Sequence, residues 1–191
     1  MAEIASTPYT WTRTSEAFRT VLEQFIRPDF SILEIGSSTG HISFHLAGQG
    51  QNVTLLDIRQ KVIDQARHTF ESHGLKARFF HEDIFAHQLQ YDLAWSSGLI
   101  QCFEEEQRLK FLRHVAALTP RLLLFYPDTD SPAKKAGANG LETPGVGDAR
   151  EYSVRTVPVA FSSVFAQVRF GRLPSAMTDV PFDMFWLCGQ N

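Results

Sequence analysis

The chain has 191 residues, 43% of them hydrophobic and 20% charged, with a formal net charge of −3. That length can bury the core of one domain, and the balance excludes a disordered segment. No Lys/Arg block marks a nucleic-acid or anionic-membrane surface, two cysteines make no disulfide framework, and no apolar run reaches membrane-spanning length.

MAEIASTPYTWTRT has no apolar signal core, so the expectation is a soluble, cytoplasmic protein with a single domain over 1–191 and no nucleic-acid or membrane partner. Oligomeric state is not legible. Residues 1–30 read as an N-terminal helical cap, because SEAFRTVLEQFIRP places Phe18, Val21, Leu22 and Phe25 on one helical face. Strands are expected at Ile32–Ile35, Val53–Asp57, Ala77–His81, Asp92–Ser96 and Arg121–Tyr126, each short and rich in Leu, Ile, Val or Phe. Between them, RQKVIDQARHTFESHG carries an apolar face (Val62, Ile63, Ala66, Phe70) and a stop at Gly74. EEEQRLKFLRHVAALTP begins with acidic residues suited to the positive helix end and stops before Pro120.

Strand–helix alternation implies an α/β fold, doubly wound, with a mostly parallel sheet and helices on both faces. AQVRFGRLP and PFDMFWLCG, with no helical pattern between them, suggest an antiparallel hairpin at the C-terminal edge, which brings the sheet to seven strands. Residues 128–150 are Gly-, Pro- and Ala-rich without apolar periodicity and read as a lid or flexible insert.

The turn Gly36-Ser37-Ser38-Thr39-Gly40 fits two chemistries. As G-x-S-x-G it would be a nucleophile elbow, but only one strand precedes Ser38 and no His follows His114, whereas a hydrolase needs several strands first and its His last. As G-x-G-x-x-G it fails because His41 stands where a third glycine permits close helix–strand packing. What remains is an acidic-x-Gly-x-x-x-Gly loop, Glu34 to Gly40, with Asp57 closing the next strand, where an Asp can accept both ribose hydroxyls of a nucleoside. Two carboxylates without a phosphate-binding Lys suit a cationic nucleoside.

ILEIGSSTG, VTLLDIRQKVIDQAR, FFHEDIF and YDLAWSSGLIQCF, in that order, resemble the first four motifs of the class I, Rossmann-like S-adenosylmethionine-dependent methyltransferases. RLLLFYP is similar to their fifth strand, and FAQVRFGRL with PFDMFWLCG resembles their antiparallel sixth and seventh strands. The resemblance spans roughly residues 31 to 127 and 150 to 189. It implies S-adenosylmethionine as cofactor, with Glu34 at the methionine end, the loop Gly36, Ser37, Ser38 and Gly40 around it, and Asp57 on the ribose. It also places Asp83 at the adenine amino group, Ile58 and Ile84 flanking adenine, and Ser96 closing the fourth strand. Ser38 departs from the pattern, which has glycine at mid-loop, so the loop is expected to stand slightly farther from the cofactor.

Each residue also has a plainer reading. Glu34 would cap loop amides, and Asp57 and Asp83 would cap the helical turns that follow them. Ile58 and Ile84 would be core, and Cys102 a buried thiol. Tyr9, Trp11 and Arg13 would cover the cofactor or pack as a loose terminus. Candidate catalytic groups are His41, kept neutral at a helix mouth, and Gln101, after the fourth strand. His81 is a weaker candidate, and His114, inside a helix, is discarded. SSGLI lacks the Asn/Asp-Pro-Pro-aromatic signature of nucleic-acid amino-methyltransferases. Asp128 and Asp130 have no third ligand nearby, so no metal is expected. The expected reaction is methylation of a small-molecule oxygen or nitrogen; the rivals are a protein methyltransferase and a non-catalytic module that binds the cofactor or a partner.

Overall fold

The computed structural model describes residues 8–127 and 156–191. Strands β1 (Ser31–Ile35), β2 (Asn52–Asp57), β3 (Arg78–His81), β4 (Leu93–Ser97), β5 (Arg121–Pro127), β6 (Gln167–Leu173) and β7 (Met184–Gln190) make one sheet in the order β3-β2-β1-β4-β5-β7-β6. The first five run parallel, and β7 is antiparallel to both β5 and β6. All five expected parallel strands are present, with ends shifted by a residue or so.

Side chains alternate across the sheet, as the two-residue strand period requires. Ile32, Val53, Leu55, Leu93, Trp95, Leu123 and Phe125 pack on one face, under α1 (Arg13–Leu22), α2 (His41–Gly48) and α3 (Gln60–Ser72). Leu33, Ile35, Leu56, Ala94, Leu122, Leu124 and Tyr126 pack on the other, under α4 (Glu105–Leu118) and α5 (Thr156–Ser162). Burial on both faces explains why the parallel strands read as unbroken apolar runs.

The helices follow local chemistry. Thr12 caps α1, its hydroxyl accepting from the Ser15 amide at 3.1 Å. Ile63, Ala66 and Phe70 form the buried stripe of α3, and Gly74, at φ 68°, takes the left-handed position that ends it. α4 ends at Leu118, with Thr119 as its C-cap ahead of Pro120.

The C-terminal elements hold one expected feature and one unexpected one. The C-terminal pair is the expected antiparallel hairpin at the sheet edge, with β6 outermost and β7 paired with β5 along its whole length, Arg121 opposite Gln190 to Pro127 opposite Met184. α5 was not expected at all; it is one short stretch in which Val157 and Phe161 are buried four residues apart, with Pro158 in the first turn, where a missing amide does no harm. The insert at 128–150, with Asp128 and Asp130, lies outside the described residues. Among the described residues, no helix is long and apolar enough to cross a membrane.

Candidate active site

The loop after β1 continues alongside β2, because the amides of Gly36 and Ser37 both donate to the Leu56 carbonyl, at 2.8 and 3.0 Å. Gly40 caps α2 at φ 74°, and a Cβ there would lie 2.1 Å from a Leu55 methyl, so only glycine fits. Ser38 sits at φ 51°, the one non-glycine residue with positive φ among the described residues. The Ser38 side chain is exposed, on a left-handed backbone.

Glu34 and Asp57 flank this loop at the C-terminal ends of neighbouring parallel strands, and their environments differ. Glu34 is buried, and its Oε2 has no hydrogen-bond partner. Burial pushes its carboxyl up to about 8, with Asp57 adding to the rise and Ser43 pulling the other way. Asp57 is also buried, at 3% exposure, yet it accepts four hydrogen bonds. Oδ1 takes the Arg59 amide and Nε, each at 3.0 Å; Oδ2 takes the Ser38 amide at 2.8 Å and Arg59 Nη2 at 3.0 Å. Burial alone would raise its pKa, but these donors outweigh burial and hold the carboxyl below its ordinary value. Asp57 therefore does anchor the start of α3, through the Arg59 amide.

The other expected residues are placed as follows. Ile58 is 65% exposed beside Asp57, whereas Ile84 is 5% exposed and belongs to the core under α4. Asp83 caps a 3-10 turn, accepting from the Phe85 amide at 3.0 Å. Ser96 donates to the Ile35 carbonyl at 2.7 Å, which ties the end of β4 to the end of β1. Leu99, after β4, comes up to Gly36, where an added Cβ would meet its methyl at 3.4 Å. Gln101 lies in the next turn, its Oε1 buried without a partner. Cys102 is exposed, a correction to the expected buried thiol: the loop turns it outward, over the Gly98 carbonyl.

His41 lies at the α2 mouth with Nε2 buried and unpartnered. Its pKa is lowered first by burial and then by neighbouring His45, both of which favour the neutral form. Burial comes from the N-terminal segment: Tyr9 stacks on His41 at 5.0 Å between ring centroids, and Trp11 meets it edge-on at 4.9 Å. The Tyr9 hydroxyl donates to the Thr39 carbonyl of the glycine loop. Arg13 turns away to pair with Asp179. His81 contacts the Ile58 carbonyl at 3.0 Å and His114 the His87 carbonyl at 3.2 Å. Arg59 and Leu99 were not singled out from the sequence; an Asp followed two residues later by Arg was the available signal for the first.

A strand order that reverses between β1 and β4, with a glycine turn and carboxylates at that point, matches a known family. Residues 32–120 match the family model described as a methyltransferase domain. That segment, just under half of the chain, is similar to methyltransferase domains, and the fold around it is the one that class I, S-adenosylmethionine-dependent methyltransferases have. The carboxy-S-adenosyl-L-methionine synthase of Nautilia profundicola is 29% identical over 82 residues, 42% of this chain and 33% of that protein. The magnesium protoporphyrin IX methyltransferase of Synechocystis PCC 6803, solved with bound S-adenosylhomocysteine, superposes with a TM-score of 0.73 at 16% identity, covering 93% of this chain and 82% of that one. The mitomycin 7-O-methyltransferase gives 0.71 at 18% identity, covering 93% of this chain and 54% of that one. At such identities the structural likeness is one of fold. The chain thus spans about a third of the curated relative and just over half of the mitomycin enzyme.

Proposed function

We propose that this chain binds S-adenosylmethionine at the β1 and β2 strand ends and transfers its methyl group to an oxygen or nitrogen of a small molecule. The observation that carries the reading is Glu34: a buried carboxylate oxygen with no partner, beside a glycine loop, fits a ligand that brings positive charge and N–H donors. Asp57 at the next strand end suits ribose hydroxyls. The small-molecule acceptor is favoured by the mitomycin and protoporphyrin methyltransferases among its structural neighbours.

When bound, S-adenosylmethionine supplies a methyl group on a positively charged sulfur, already activated for in-line displacement. The protein's part is positioning and exclusion of water. Glu34, protonated in the free protein near neutral pH, gives up its proton to balance a neighbouring cation. Gly36 lets the main chain lie close to a ligand, with Leu99 forming an apolar wall behind it. Gln101 is placed to orient a polar acceptor group with its unpartnered Oε1. His41 serves as a base only if Tyr9 and Trp11 move off it, and a base is needed only for an acceptor that starts protonated.

Calorimetric titration with S-adenosylmethionine, S-adenosylhomocysteine and NAD tests the binding. Heat from the first two and none from NAD is the expected result, and the reverse overturns it. Turnover, followed as S-adenosylhomocysteine release over a panel of small hydroxylated and aminated acceptors and one of unfolded proteins, tests the acceptor class.

A further inference from the structure

Asp57 is saturated. A carboxylate has room for about four hydrogen bonds, two on each oxygen, and all four are filled within the chain itself. Ribose hydroxyls at that carboxylate must therefore take the place of donors already there. Two of those donors cannot leave. The Ser38 amide belongs to a loop fixed by the Gly36 and Ser37 bonds to the Leu56 carbonyl, and the Arg59 amide opens α3. The backbone between them is held as well, by His81 against the Ile58 carbonyl at 3.0 Å. The remaining two donors, Nε and Nη2 of Arg59, sit on a side chain that is 59% exposed and free to swing into solvent.

We infer that the Arg59 guanidinium is an internal competitor for the ribose position, a plug that sets the affinity of the site for its nucleoside ligand. The inference rests on the assignment of Asp57 to the ribose. Binding exchanges an ion pair with two parallel hydrogen bonds for two neutral hydroxyl bonds, while the two amide bonds persist and keep the carboxylate aimed. Although Asp57 is buried, the guanidinium of the displaced pair is 59% exposed, so solvent and salt reach the pair from that side and keep its strength modest. The site therefore prefers ligands that present both ribose hydroxyls together, since one hydroxyl does not replace a bidentate guanidinium.

S-adenosylhomocysteine is the probe, titrated into the full chain and into Arg59→Ala and Arg59→Lys, each at low and at roughly physiological salt. Arg59 contributes no side-chain cap to α3, so alanine keeps the amide bond to Asp57, and thermal melting checks that the variants fold. The expected result is that Arg59→Ala binds about two- to fivefold tighter than wild type, the order of effect of an ion pair that solvent screens on one side. Arg59→Lys should fall between them, because an ammonium does not bridge both oxygens with a fork. Added salt should tighten wild type more than Arg59→Ala. Equal or weaker binding by Arg59→Ala, or the same salt response in both, overturns the plug while leaving the ribose site standing. Binding by neither protein overturns the ribose site itself and the plug with it.

Discussion

The ends of β1 and β2 present the same chemistry, a buried carboxylate beside the glycine loop, in opposite states. Glu34 has an oxygen without a partner, and burial pushes its pKa up to about 8; Asp57 has four donors and titrates below its ordinary value. The strands themselves differ little, both being parallel and central to the same half of the sheet. Donor supply decides the charge state here, and burial only sets how much that supply matters. One site is thus pre-filled by the chain, and the other waits for something outside it.

The largest effect should come from neutralising the empty side. The folded value of Glu34 lies above the ordinary 4.5, so between pH 4.5 and about 8 the folded state holds a proton that the unfolded chain has released. Its contribution to stability is therefore full below pH 4.5 and declines as pH rises through that window, by up to about 5 kcal/mol. Glu34→Gln should remove this decline, which urea unfolding of both proteins at pH 5, 7 and 9 would measure. Parallel slopes would mean that Glu34 ionises freely and that the two carboxylates are alike.

Gly40→Ala attacks the loop that the two carboxylates share. A methyl 2.1 Å from Leu55 and a left-handed backbone together should destabilise the fold by about 3 kcal/mol, read as a lower urea midpoint with an unchanged slope. Asp57→Ala removes the filled side and should weaken S-adenosylhomocysteine by about 2 kcal/mol in calorimetry. Any loss of thermal stability in that variant reports the amide bonds to Ser38 and Arg59. The smallest effect belongs to Ser38→Gly, which relieves a left-handed serine and should raise stability by about 1 kcal/mol. With no Ser38 side-chain donation to a neighbour among the described contacts, ligand affinity should hold or improve.

Most of the frame was readable because the sheet is buried on both sides: Leu33, Leu55 and Leu123 had to be apolar, and so did their alternating neighbours on the other face. Glu34 and Asp57 stood out because a carboxylate at the end of such a run is costly without a purpose. The remainder depended on tertiary geometry. Insertion of β7 between β5 and β6 leaves no mark on either strand's composition, and α5 is too short to show a period. Cys102 faces outward, against the expected burial, because a 3-10 turn follows β4 and sets which way its side chain points. The capture of Asp57 by Arg59 is a contact between side chains two residues apart, visible only once the strand–helix corner is folded.

The Tyr9 hydroxyl reaches the Thr39 carbonyl across thirty residues of chain, and its ring lies on His41. That contact gives the glycine turn and the segment ahead of α1 a common fluctuation. When the turn lifts, the ring loses its stack and its acceptor; while the ring is seated, the turn is held by Tyr9 as well as by its bonds to the Leu56 carbonyl. Exchange of the amide protons at 36–40 with solvent should therefore proceed through openings that also release Tyr9, and Tyr9→Phe, which keeps the stack and drops the hydroxyl, should speed that exchange without shifting the protection of β1.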